Sequence, residues 1–155
     1  MTDPVRHAYS WQDVARYALA VGAKRDELDY LYEGRGPRVL PSFAVIPAFA
    51  PLAAAMGDAG VSFDSVVHGH QRVSLHAALP PAGELLTTAR VAAIYDMKRM
   101  AQVVIVTASR DAAGTLLCET EWGVIVLGEG GWGGEAPPGR EGAAPNRPPD
   151  FRVEE

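Results

Sequence analysis

One stretch of this 155-residue chain, Phe43 to Met56, is apolar on every side. A helix with no polar face has to be buried, so this segment dictates that the rest of the chain wrap it. It holds 14 residues, too few for a membrane-spanning helix, which needs about 20 apolar residues. Pro47 and Pro51 lie inside it. Pro47 suits a first turn, whereas Pro51 would kink a helix already running. The regular part is therefore expected to begin at Pro47 or Pro51 and to end near Gly57, with Gly60 closing the turn.

The cover comes from the residues that follow, where the period changes to two. Within 65–77, Val67, Gly69, Gln71, Val73 and Leu75 fall on one face, and His68, His70, Arg72, Ser74 and His76 on the other. The next segment, 84–97, alternates with Leu85, Ala89, Val91, Ala93, Tyr95 and Met97 inward and Arg90 and Asp96 outward. Residues 101–110 are rich in Val and Ile, as a central strand requires, and 115–127 form a last strand. Turns are marked at 80–83 and 111–114 by Pro and Gly. Upstream, residues 1–9 read as irregular. Ser10 and Asp13 then form a capping box for a helix whose apolar stripe is Trp11, Val14, Ala15, Ala18, Leu19 and Val21, with Gly22 as its left-handed end. Residues 23–42 read as a loop with one helical turn at 26–31. Long antiparallel strands twist and coil, so the pattern predicts an α+β domain: an antiparallel sheet wrapped around one buried helix.

Composition narrows the function. A net charge of −5 argues against nucleic acid, which requires clustered Lys and Arg. The single Cys, Cys118, rules out a disulfide framework. The first residues lack the apolar core of a secretory signal, so a cytoplasmic location is expected. Between Gly128 and Asp150 lie seven of the 16 Gly and five of the 12 Pro. Such a segment cannot build a core, so the folding unit is expected at 1–127 and a linker at 128–155.

Several motifs then occur in a recognisable order: Tyr-Ala-Leu-Ala-Val-Gly-Ala at 17–23, Tyr-Glu-Gly at 32–34, Leu-Pro-Ser-Phe-Ala-Val-Ile-Pro at 40–47, Val-His-Gly-His-Gln at 67–71, Pro-Pro-Ala-Gly-Glu-Leu at 80–85, Gly-Gly-Trp-Gly-Gly at 130–134 and Asn-Arg-Pro-Pro-Asp at 146–150. This series resembles the N-terminal half of the MaoC-like, hydratase 2 family of (R)-specific enoyl-CoA hydratases. The resemblance implies a hot-dog fold that pairs into a double hot-dog. The implied reaction is reversible addition of water to a trans-2-enoyl-CoA, with no cofactor because the CoA thioester is itself the substrate. In that family the catalytic Asp and His lie in the other half, within a Gly-Asp-x-Asn-Pro-x-x-His motif. No Asp of this chain is followed by x-Asn-Pro. The resemblance thus implies a non-catalytic half that accommodates the acyl chain beside a catalytic hot-dog domain or subunit, as a dimer. An excised domain and one subunit of a split enzyme both fit, the retained linker favouring the first. An acyl-CoA-binding or purely structural hot-dog without turnover is the alternative.

The expected lining residues are Pro47, Phe49, Met56, Val67, His68 and Gln71, with none of them catalytic. His68 and His70 share a strand face, but zinc catalysis needs three protein ligands, and His76 lies roughly 20 Å along the strand; no metal is expected. An acid–base pair of His70 with Glu84 or Asp96 is conceivable, since His titrates near neutrality, but no spacing brings them together. The glycines at 130–134 are followed by Pro137 and Pro138 and open no helix, as a phosphate loop would. Trp132 is instead expected to pin the linker by burying its ring. Cys118 reads as a small buried hydrophobe.

Overall fold

The computed structural model describes residues 1–139 and Pro148; most of the expected linker lies outside the described residues. Among them, five strands form one antiparallel sheet in the order β1-β3-β4-β5-β2. The four strands expected from periodicity are β2 (Val66–Leu75), β3 (Gly83–Asp96), β4 (Met100–Arg110) and β5 (Leu116–Leu127). The first strand, β1 (Val5–Tyr9), corrects the reading of residues 1–9 as irregular. It pairs along the start of β3, from Val5 opposite Thr87 to Tyr9 opposite Gly83. Five residues are too few to display a period, and their pairing partner lies far along the chain.

Helix α1 (Trp11–Ala20) starts as the sequence indicates. The Asp13 carboxylate accepts the Ser10 backbone N–H at 2.9 Å and the Ser10 hydroxyl at 2.6 Å. Gly22, at φ +103°, ends the helix, and the Ala23 N–H reaches back to the Ala18 carbonyl at 2.9 Å. A single helical turn, α2 (Leu28–Leu31), follows within the expected loop.

The central helix α3 spans Val45–Asp58 and is entered through a 3-10 turn at Pro41–Ala44. It begins two residues before the expected Pro47 and keeps Pro51 in its interior. Pro47, third in the helix, has no intrahelical N–H bond to lose. Pro51 forfeits only the bond to the Pro47 carbonyl. That costs about 3 kcal/mol, and burial of Leu52 and Met56 contributes about 1.5–3 kcal/mol each in return. The helix is not buried all round, however. Ala48, Leu52, Ala55 and Met56 face β3 and β4, while Ile46, Phe49, Ala50 and Ala54 face outward.

The core has two parts. Below α3, Leu52 and Met56 pack with Ala89, Val103, Ile105, Trp122, Val124 and Val126. Beside α1, Phe43 packs with Tyr9, Val14, Leu85, Leu117 and Cys118, its ring 5.2 Å from Tyr9 and 5.5 Å from Tyr17. The Tyr9 phenol, pushed up to about 12 mainly by burial, donates to the Pro80 carbonyl at 2.9 Å. Burial also raises the Cys118 thiol, in keeping with an inert core residue. Between the two parts runs a row of buried hydroxyls. Thr87 meets Ser109 at 2.8 Å, Thr107 meets Thr120 at 2.6 Å, and the Trp122 indole N–H donates to Thr120 at 2.6 Å.

Candidate functional site

Two bulges decide which side chains reach the concave face. In β2 the register shifts between His68 and His70, leaving Gly69 as the extra residue. A Cβ there would stand 2.9 Å from both the Gly123 carbonyl and the Ile125 side chain, so only Gly fits. The uniform alternation expected for 65–77 therefore breaks at this point. His68 lies opposite Val124 with its ring 5.5 Å from Trp122, on the inner face. Gln71 lies opposite Trp122 and is also inner, whereas Val67 and His70 turn outward. The Gln71 amide donates to the Glu121 carbonyl at 3.1 Å, and its buried Oε1 has no partner among the described residues.

On the outer face the His70 ring lies over Gly123. The Gln102 amide donates to its Nδ1 at 3.2 Å, and its Nε2–H points to Glu121 at 3.2 Å. The pairing of His70 with Glu84 or Asp96 is thereby corrected. Glu84 binds Arg6 at 3.2 Å on the opposite edge of the sheet, and Asp96 faces inward. Among the described residues no three His, Cys, Asp or Glu side chains converge as a metal site.

The second bulge falls between Val91 and Ala93. It turns Ile94 and Asp96 onto the inner face, opposite Val103 and Ala101, and overturns the outward placement of Asp96. Its carboxylate collects four backbone N–H groups: Lys98 and Gly131 at 2.8 Å on Oδ1, and Gly133 at 2.8 Å and Gly134 at 3.3 Å on Oδ2. Asp96, not the Trp132 ring, pins the glycine-rich segment; Trp132 remains 53% exposed. Next to this clamp, beyond the C-terminal end of α3, opens a cavity of about 420 Å³. Its lining includes Val61, Ile94, Val103, Val126, Glu129 and Trp132. The size falls in the range of small-molecule pockets, about 300–1,000 Å³. A further hollow of about 280 Å³ between β1, α1 and the start of α3 is lined by His7, Arg16, Tyr17 and Ile46.

The carboxyl of Asp96 is held below the ordinary aspartate range, chiefly by the Gly131 N–H, with the Lys98, Gly133 and Gly134 N–H groups adding to it against burial. A depressed folded pKa gives stability that is present above the unfolded value, about 3.9, and lost as pH falls through the folded one. Asp96→Asn is therefore expected to lower Tm at pH 7, with the gap to wild type closing below about pH 4. A gap of equal size at pH 7 and pH 3 in thermal melts would count against a carboxylate clamp.

Of the six residues marked by the sequence, Pro47 and Met56 are buried under α3. Phe49 is 55% exposed on the outer side of that helix, its ring 6.1 Å from Phe63. His68 and Gln71 lie on the inner face of the edge strand β2, and Val67 on its outer face. The cavity itself gathers residues that the sequence did not single out, because they come from four separate segments. No linear pattern marks them in advance.

Residues 7–128 match the family model described as the MFE-2 hydratase 2 N-terminal domain. The 3-hydroxyacyl-thioester dehydratase Y of Mycobacterium tuberculosis is 34% identical, over 99% of this chain and 55% of its own length. The peroxisomal multifunctional enzyme type 2 of Mus musculus is also 34% identical, over 86% of this chain and 20% of its own. The chain thus spans about half the length of the first of these relatives and less of the second. Among solved structures, a MaoC-like dehydratase from Phytophthora capsici superposes with a TM-score of 0.79 at 24% identity, covering 96% of this chain and 55% of that one. The HadBC dehydratase complex of M. tuberculosis gives 0.65 at 15% identity, covering 79% of this chain and 96% of that one. The shared architecture is the hot-dog fold.

Proposed function

Because the chain belongs to the MFE-2 hydratase 2 N-terminal domain family, we propose that it is the acyl-accommodating half of an (R)-specific 2-enoyl-CoA hydratase or 3-hydroxyacyl-CoA dehydratase. Its relatives carry out hydratase and dehydratase chemistry on acyl thioesters. Adding water across the enoyl double bond needs a base for the water and a donor for C2, held in one geometry. The observation that carries the reading is the cavity beyond α3, lined by the apolar Val61, Ile94, Val103 and Val126; among the described residues Glu129 is the one carboxylate on its lining, with no second acid–base group beside it. A catalytic hot-dog supplies the proton transfers, and this chain holds the apolar tail. No redox carrier enters the chemistry.

The partner hot-dog covers the outward face of α3 and the side of β2 that no strand occupies. Ile46 and Phe49 with Phe63 offer apolar area there, and the orphan Gln71 Oε1 accepts a donor from the partner, since a buried acceptor left unpaired costs about 1–3 kcal/mol. In this arrangement Phe49, His68 and Gln71 border the acyl passage, with Pro47 and Met56 packing behind it, and Val67, on the outer face of β2, drops out of the lining.

The test is a hydration assay on crotonyl-CoA and on a longer trans-2-enoyl-CoA. The chain alone is expected to be inactive and to support turnover once a hot-dog carrying the Asp-x-Asn-Pro-x-x-His motif is added. Turnover by the chain alone would sink the proposal. Acyl-CoA binding with no gain on pairing would identify a binding subunit instead.

A further inference from the structure

Trp132 combines two properties that rarely coincide: its side chain is more than half exposed, yet its backbone is held on both sides by one carboxylate. Gly131 precedes it and Gly133 and Gly134 follow, and all three donate to Asp96. Gly131 and Gly133 hold φ of +85° and +80°, a conformation that L side chains seldom adopt. Gly130 lies so close to the β3–β4 hairpin that a Cβ would come within 2.5 Å of the Met100 nitrogen and 2.6 Å of its oxygen. The indole itself lies against Gly134. The ring is therefore fixed without being buried, and it lines the cavity together with Ile94, itself 51% exposed. A core does not need a tryptophan held in this way, but a pocket wall does.

We propose that Asp96 is a positioning residue for substrate selection: by gripping the 128–134 segment it sets Trp132 as the end wall of the cavity, and that wall limits the length of acyl chain the domain takes. The proposal rests on the acyl-accommodating reading above and adds a ruler to it. Asp96 touches no substrate and acts only through Trp132. The ligand class is a straight-chain acyl thioester whose tail lies along Val103, Val126 and Ile94.

The experiment measures binding of saturated straight-chain acyl-CoAs of increasing length to the full chain, alone and together with the catalytic hot-dog. Affinity is expected to rise about fourfold per methylene while each added group is buried, and then to level off where the tail meets the indole. Trp132→Ala moves that break to longer chains, and Trp132→Phe moves it less. Asp96→Asn moves it in the same direction as Trp132→Ala, and the Gly131, Gly133 and Gly134 amides lose hydrogen-exchange protection. Should Asp96→Asn fail to fold, Gly130→Ala releases the same segment from the hairpin and takes its place. An unmoved break in Trp132→Ala overturns the ruler while leaving the acyl-accommodating reading intact. A shift in Trp132→Ala, but none in an Asp96→Asn variant with unprotected amides, overturns the role of Asp96. Absence of acyl-CoA binding by wild type, alone and paired, sinks the acyl-accommodating reading and the ruler with it.

Discussion

Thr120→Val is expected to destabilise the domain by about 2–6 kcal/mol, although it alters the shape of the core very little. The Trp122 indole nitrogen is a donor only, and its acceptor is the Thr120 hydroxyl at 2.6 Å. The same oxygen meets Thr107 at 2.6 Å, and both threonines are buried. Valine keeps the volume but leaves two buried polar groups without partners, at about 1–3 kcal/mol each. Thr107→Val is milder, about 1 kcal/mol, because Thr120 still accepts from Trp122. The double variant removes one of the two orphans and should be more stable than additivity predicts, as residues sharing one network couple. Urea unfolding of the three variants decides the matter. Equal, small losses for Thr120→Val and Thr107→Val would show that the Trp122 N–H finds another acceptor.

The same row of hydroxyls shows where a linear reading stops. The four long strands were legible because a period of two repeats over ten or more residues, and the α1 cap because Ser10 and Asp13 stand three apart. Burial of Thr87, Thr107 and Thr120 was not legible. Threonine suits either face of a strand, and only pairing across β3, β4 and β5 brings the hydroxyls together. The start of α3 was misplaced because a local rule about proline was applied without the apolar burial that outweighs it. One extra residue exchanges inside for outside, so the alternation expected for β2 fails before its bulge, at Val67 and His68, and that expected for β3 fails after its bulge, at Asp96. Gly69 announced the first bulge, whereas nothing in the sequence around Ala92 announced the second. As a result Asp96 looked like a solvated surface charge, and its clamp on the 131–134 amides went unseen. A cavity assembled from residues between Ala59 and Trp132 has no linear signature at all.

The reading of α3 as a two-sided helix leads to the other large effect. Met56→Ala is expected to cost about 2–5 kcal/mol, the range for emptying a buried methionine site, because Met56 is 1% exposed in the core below the helix. Phe49→Ala, on the same helix, should cost little in the separated domain. Phe49 is 55% exposed, and its main loss is the ring contact with Phe63, worth about 0.5–1.5 kcal/mol. The order reverses once a second hot-dog is present. An interface stabilises a fold by mass action, so the stability it adds depends on protein concentration. Met56→Ala should therefore lower unfolding midpoints by the same amount at low and high concentration. Phe49→Ala should instead erase whatever concentration dependence wild type shows and weaken pairing with the catalytic hot-dog in sedimentation or titration. Pairing unchanged in Phe49→Ala would take the interface off this face of α3. The interface would then rest on the β2 edge, where His68 and the unpartnered Gln71 oxygen would become the residues to replace next.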